Sequence, residues 1–398
     1  IKLSKVTEKA GLIASNVDAE LCYCHQIRNG KLTLVAIMTK HVDDLKAAGE
    51  KAVLLQIMRV IEEVFGEMKI TWHTFTNCGV RHIQDKLTKE ITLDQSEYVA
   101  QLKLIANEES RGTNSTALCG PVLHQQYQSL LGAVAYTSLT RVDVLVFIVA
   151  LQRYSHAPQI IHVKRLNALV KWMQANPRKL AYRKFPDDGS RADNQHIKII
   201  ADSSFKKEEE KGHSLRGVLH LRCSGNDPKA GKCVSHILDH ATKALRFVTR
   251  STFSAELLGA CDAFDHGLMV ILIVNEIHTG VPNKFDQRNL REHGGFAVPT
   301  TLYIDALSVH ASVTSTYVKA PAEKGLLAHV QYLRELLDNN VLHSLAWIDT
   351  RDMTADGLTK GSVERALLHD LMSGEVKFEH EMKLWRPALL ARREQTQQ

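Results

Sequence analysis

Four carboxylates in the second half of the chain stand where metal-assisted chemistry would need them. Asp202 ends the apolar run Ile199-Ile200-Ala201, and Asp305 ends a second, Leu302-Tyr303-Ile304. Glu256 falls in the first turn of a long stretch with helical spacing, and Asp356 opens a helix in Thr354-Ala355-Asp356-Gly357. Side chains this far apart in sequence meet only through the fold. If they meet, their hard oxygens suit magnesium, with manganese as the alternative ion. Two such ions roughly 4 Å apart can activate water on one side of a phosphodiester and stabilise the leaving oxygen on the other. Structural roles compete with this reading. An Asp at a strand end forms turns, an acidic residue in a first helical turn meets a favourable dipole, and an Asp before a helix caps it. Taken singly, each such role suffices; taken together, in this element order, they lose ground. A further pair, Asp43-Asp44 at a hairpin tip, sets two carboxylates side by side at a cost in repulsion that a cation would relieve.

The elements that must position these residues can be read from hydrophobic spacing. In the second half the pattern predicts strands at 197–201, 216–222 and 244–249, a helix at 254–277, a strand at 301–304, an amphipathic helix at 323–337, a strand at 341–348 and a helix from Asp356. Three strands, helix, strand, helix, strand, helix calls for an α/β fold with a mixed sheet flanked by helices. In the first half, strands at 32–38 and 45–48 bracket the acidic turn. Apolar residues at 53, 54, 57, 58, 61, 64 and 65 then predict a helix over 51–65 that stops at Gly66. Residues 69–93 read as short meandering strands, 97–106 as a helix and 107–121 as a polar loop. The pattern from 127 to 175 is helical with a break at Pro158, and Asp187-Asp188-Gly189-Ser190 marks the main domain boundary.

Composition bounds the class. A chain of 398 residues exceeds what one core usually serves, so two or three domains are expected. With 44% hydrophobic and 24% charged residues it is ordinary globular material. No unbroken apolar run approaches the ~18 residues of a bilayer span, and the richest, 267–274, falls far short, so no membrane segment is expected. The start lacks both an initiator Met and an apolar signal core, which points to a piece of something larger. Seven cysteines, an odd and scattered set without a C-x-x-C pair, argue against a disulfide framework or a zinc site. They fit a reducing compartment, cytoplasmic or nuclear and not secreted. The net charge of +6 is uneven: 24 basic residues against 16 acidic ones up to residue 185, then 26 against 28. Residues 144–186 hold eight basic side chains and no acidic one. Arg153, Lys164, Arg165, Lys171 and Arg178 are therefore candidate phosphate-backbone contacts, with a solvated helix face as the plain alternative.

Read in order, the motifs form a series. It runs His41-Val42-Asp43-Asp44-Leu45 with Gly49; Gln128-Ser129-Leu130-Leu131-Gly132 through Tyr136; Leu139-Thr140-Arg141-Val142-Asp143; and Ala201-Asp202-Ser203-Ser204. It continues with Ser254-Ala255-Glu256-Leu257; Tyr303-Ile304-Asp305; His329 with Leu333-Arg334-Glu335; and Ala355-Asp356-Gly357-Leu358-Thr359-Lys360. Over nearly the whole chain this series resembles the reverse transcriptase and ribonuclease H region of a copia-type LTR retrotransposon polyprotein. There are departures. His41 stands for the motif Tyr, Val142 for Pro, Ser254 and Leu257 for Glu and Tyr, and Ala306 for Asn or Ser, while all four nuclease carboxylates are kept.

The resemblance implies three pieces and a tail. Residues 1–112 would be the end of a polymerase palm, an α+β remnant without fingers or the strand bearing the family's first polymerase Asp, a gap that Asp18 does not fill. Residues 113–186 would be a basic, helical thumb or connection, 187–375 a ribonuclease H-like domain and 376–398 a tail. It implies magnesium-dependent cleavage of the RNA strand of RNA-DNA hybrids, with Asp202, Glu256, Asp305 and Asp356 as ligands. The parent activity would be RNA-directed DNA polymerisation in retrotransposition, for which Asp43 and Asp44 form an incomplete site. RNA, DNA and their hybrids are the implied partners, with the rest of the polyprotein or a second copy besides, in a virus-like particle or the nucleus. Two rival readings are a binding remnant without turnover and an accessory module that needs a fingers-palm chain.

Overall fold

The structure is a computed structural model that describes residues 2–42, 44–106, 115–186, 194–205, 214–225, 231–245, 248–317 and 321–387. The first sheet is an antiparallel series, β1 (Ile13–Ala14), β2 (Leu21–Arg28), β3 (Lys31–His41) and β4 (Asp44–Gly49). Asn29-Gly30 joins β2 to β3 with both residues at positive φ, 51° and 74°, the backbone that a two-residue hairpin requires. The helix Lys51–Phe65 forms as its spacing predicts. It lays Leu54, Ile57 and Ile61 on Cys22, Cys24, Val35 and Met38 of this sheet.

The meander expected over 69–93 is present as β5 (Thr74–Asn77), β6 (Val80–Gln84) and β7 (Ile91–Asp94). A strand that spacing does not reveal completes it: β8 (Leu180–Tyr182) pairs with β7 in the register Leu93↔Leu180. The expected pieces 1–112 and 113–186 therefore share a sheet. Between them, helices Pro121–Tyr136, Leu145–Gln152 and Ile160–Ala175 bury Tyr127, Leu131, Val134, Ile148, Val163, Leu166 and Val170 together. The helix expected over 97–106 is shorter, Ser96–Gln101. Beyond it Leu102, Leu104 and Ile105 pack as extended chain on the same core, and the Asn167 side chain bonds both backbone groups of Ile105.

The third sheet carries the candidate site. Its strands are β9 (Gln195–Ser204), β10 (Leu215–Ser224), β11 (Gly231–Ala244), β12 (Thr300–Ile304), β13 (Ser344–Ile348), β14 (Glu375–Phe378) and β15 (Met382–Trp385), in the order β14-β11-β10-β9-β12-β13-β15. β9, β10 and β11 run antiparallel, whereas β12 is parallel to both β9 and β13, so the sheet is mixed and the molecule α/β as expected. Two expectations need correction. The third strand, expected over 244–249, is β11, which ends at Ala244; residues 246–247 of the expected span lie outside the described residues. Leu245 supplied the apolar signal but lies buried just past the strand, while β11 itself is rich in His, Ser, Asp and Thr. The sheet also continues past residue 375, because the short edge strands β14 and β15 fall in what reads as a tail.

One face of this sheet, through Ile197, Ile199, Leu302 and Ile304, packs on the long helix Thr252–Thr279 and the helix Leu327–Asp338. The other, through Ile200, Leu219, Leu221 and Tyr303, packs under Leu358, Leu368 and Leu371. Contrary to the sequence expectation, the helix Thr252–Thr279 is long and apolar enough to cross a membrane by length and composition, with mean hydropathy 1.8 over 18 residues. Here it is a core helix, with Glu256, Asn275 and Glu276 buried. The first sheet docks at its C-terminal end, where the Asn16 backbone N–H donates to Glu276 Oε1 at 3.0 Å and His25 Nε2 lies 3.1 Å from the Ile277 carbonyl oxygen.

Candidate metal centre

Parallel pairing brings the first two carboxylates together. The register sets Tyr303 beside Ile200, so Asp202 and Asp305, each two residues further on, leave neighbouring strands at the same rim. The third comes from the long helix. Ser251 caps that helix through a reciprocal Ser251–Ser254 pair, which places Glu256 in its opening turns. Gly259, one turn later, lets the helix lie directly against β9, since a Cβ there would collide with Ser203 Oγ. Glu256 in turn accepts a hydrogen bond from the Ser203 backbone. One oxygen from each of Asp202, Glu256 and Asp305 then lies within 4.8 Å of the other two. Asp202 and Glu256 are buried, at 1% and 7% exposure.

Asp356 lies beside this trio but outside the group whose oxygens fall within 4.8 Å of one another. It opens a short helix, Asp356–Thr359, that approaches β10 at Gly217, where a Cβ would stand 2.7 Å from Leu358 Cβ and 2.9 Å from Thr359 Cγ2. What links it to the trio is Lys360. The ammonium sits 2.6 Å from Asp356 Oδ1 and 3.5 Å from Asp202 Oδ1. Thr359 Oγ1 donates to Asp202 Oδ2, and Thr350 Oγ1 donates to Asp305 Oδ2 at 3.0 Å. A carboxylate as buried as Asp202 requires a counter-charge, and the lysine one turn beyond Asp356 supplies it. The roles of Thr359, Lys360 and Thr350 escape sequence reasoning. The only signals were the Asp356–Lys360 spacing of a helical ion pair and the Thr-Lys ending of the motif.

Electrostatics follow from the burial. Desolvation lifts Asp202 to about 7 against the opposing pull of Lys360, with Asp356 and Asp305 adding to the rise. Desolvation, then Asp202 and Asp305, lift Glu256 to about 9. Asp305 is raised too, chiefly by burial and despite the Thr350 hydroxyl. Burial alone would lower the Lys360 ammonium, but Asp202 and Asp356 outweigh it and hold the lysine protonated. Three oxygen donors, two of them buried and one half-buried, with one nearby cation suit a hard divalent ion, which would relieve the excess negative charge.

A pH dependence follows without metal. The folded values of Asp202 and Glu256 lie above their unfolded ones, so between about pH 4 and pH 9 these two groups hold more protons in the native state than in the unfolded chain. His236 and His278, lowered by burial to about 4, act in the opposite direction at the acid end. Stability contributed by the two carboxylates is thus greatest at the acid end and falls as pH rises, by ~1.4 kcal/mol per pH unit while one proton is released. Urea melts in EDTA from pH 5 to pH 8 should show this decline as the difference between the parent and the double variant Asp202→Asn, Glu256→Gln, since the buried histidines contribute equally to both. A difference that does not change with pH would mean that the two carboxylates are not held ionised in one buried site.

The remaining sequence candidates are not gathered here. Asp43 lies outside the described residues. Asp44 begins β4, exposed and paired with His41 across the turn, and among the described residues it belongs to no group of three potential metal ligands. Lys164, Arg165 and Lys171 are exposed on the helix Ile160–Ala175, which buries Ile160, Val163, Leu166, Leu169, Val170 and Met173, while Arg153 and Arg178 are half-buried at its flanks. Searches of protein-family models, curated proteins and solved structures find no match to this chain.

Proposed function

We propose that the chain is a metal-dependent nuclease that cleaves the RNA strand of RNA-DNA hybrids, related to the nuclease region of copia-type retrotransposon polyproteins. The observation that carries the reading is the meeting of Asp202, Glu256 and Asp305 at one rim of a mixed sheet. The core order β11-β10-β9-β12-β13, antiparallel on one side and parallel on the other, supports a ribonuclease H-like domain. Asp202, Glu256 and Asp305 would hold magnesium or manganese, and the ion when bound would supply activation of water and charge stabilisation at the scissile phosphate. Thr359 and Lys360 hold Asp202 in place, and Thr350 holds Asp305. Lys360 also keeps Asp356 at the edge of the cluster.

RNA-directed polymerisation belongs to the parent element in this reading and not to this chain alone, since among the described residues Asp44 belongs to no group of three potential metal ligands. One observation favours a second reading, a binding remnant without turnover: an ammonium already neutralises part of the carboxylate cluster. A labelled hybrid, the matching single-stranded RNA and duplex DNA, each with magnesium or EDTA, separate the two. Magnesium-dependent cuts confined to RNA in the hybrid support the nuclease. Salt-sensitive binding of the hybrid without cuts supports the remnant.

A further inference from the structure

An open cavity of about 1280 Å³ lies between the first two sheets and the far ends of β10 and β11, and the described residues of its wall carry one sign of charge. Among the described residues, Lys46, Lys51, Lys89, Arg183, Lys184 and Arg222 line it, and no Asp or Glu does. The whole chain has 44 acidic residues to 50 basic ones, so composition does not account for the absence. Arg183 is fixed by Glu375 at 2.6 Å and Arg222 by Gln195 at 2.6 Å. Lys46, Lys51 and Lys184 form no ion pair with any described residue.

Flat rings stand among these cations. Trp72 is 40% exposed, with Lys51 Nζ 6.0 Å from its ring centre. Phe75 stacks on His82 at 4.9 Å and 7°, leaving a ready-made planar platform. A cationic wall selects a polyanion, and exposed rings select planar groups to stack on them. Unpaired nucleobases on a phosphate backbone have both properties. A duplex keeps its base faces stacked on one another, and a sulfated polysaccharide has no planar groups.

We propose that this groove binds a single-stranded nucleic-acid segment, with its phosphates along Lys46, Lys51 and Lys184 and its bases stacked on Trp72 and the Phe75–His82 pair. The site is distinct from the carboxylates. Arg222 pairs with Ile197, five residues back along β9 from Asp202 and so about 17 Å away at ~3.3 Å per residue. The inference does not rest on the nuclease reading.

The test is fluorescence anisotropy of a short labelled oligothymidine with the full chain in EDTA. Trp72→Ala is expected to weaken binding about tenfold, and Trp72→Phe to keep most of it. Changing Lys46, Lys51 and Lys184 together to Ala should flatten the slope of log affinity against log salt by about 2, at ~0.7 for each phosphate left without its lysine. Asp202→Asn should bind like the parent, which separates this result from any loss of cleavage. Circular dichroism and melting of each variant check the fold. Binding that is absent, that ignores Trp72, or that heparin and a duplex match equally would overturn the proposal.

Discussion

Replacing Asp202 by Asn is expected to lower cleavage of an RNA-DNA hybrid by about a thousandfold or more while making the chain more stable without metal. The loss follows from position. Asp202 is the most buried of the three meeting carboxylates and the one that both Thr359 and Lys360 hold in place. Asparagine keeps the shape and can still meet both partners, yet removes the charge that a divalent ion would neutralise, and several kcal/mol of transition-state stabilisation go with it. The gain in stability has the opposite origin. With its carboxyl raised to about 7 by burial, Asp202 is held ionised at pH 8 at a cost of a few kcal/mol that a neutral amide avoids. Both results come from one variant, by cleavage of a labelled hybrid with magnesium and by urea melts in EDTA. Parent-like cleavage would remove Asp202 from the chemistry, and a fall in stability would mean that Lys360 outweighs the burial.

The second large effect is structural. Arg141 donates through Nε and a terminal nitrogen to both oxygens of Asp143, at 2.9 and 3.0 Å, in the stretch Leu139-Thr140-Arg141-Val142-Asp143. Neither side chain is more than 2% exposed, and His369 Nε2 from the helix Ala366–Met372 lies 3.4 Å from the same carboxylate. The pair therefore joins the helical region to the layer that covers the third sheet. Arg141→Ala leaves Asp143 charged and buried without its bidentate partner, and should cost about 3–5 kcal/mol. Removing both charges with Arg141→Met and Asp143→Leu should recover much of that loss, because an apolar pair leaves nothing unpaired. Urea melts decide the matter: a loss below about 1 kcal/mol for the single variant would show that the joint does not carry the fold. In the sequence this stretch reads as a family signature, and the structure shows the packing role of its arginine and aspartate.

How much was legible depended on continuity of signal. The runs ending at Asp202 and Asp305 are unbroken and apolar because β9 and β12 are covered on both faces, so their ends, and the carboxylates on them, could be read directly. Lys51–Phe65 was legible through helical spacing and a clear stop at Gly66, and Thr252–Thr279 through a long helical pattern read as 254–277. β8, β14 and β15 were not, since strands of three or four residues at sheet edges carry too little alternation to stand out. The short helix of Asp356 could be placed but not its distance from Asp202, which depends on Gly217 and Lys360 on different elements. The cationic groove was invisible for a similar reason: Lys46, Trp72, Lys184 and Arg222 share no local pattern and become neighbours only when the three sheets pack.

The central claim is that Asp202, Glu256 and Asp305 form one site for a divalent cation. The most direct measurement is the unfolding midpoint of the purified chain at pH 8 with excess magnesium and with EDTA, for the parent and for Asp202→Asn. An ion that binds only the folded state stabilises it in proportion to the logarithm of its concentration over its affinity, about 2.7 kcal/mol at a hundredfold excess. The account predicts a clear, concentration-dependent rise for the parent and little or none for the variant. A midpoint that magnesium leaves unchanged in the parent, or raises equally in both, would contradict it.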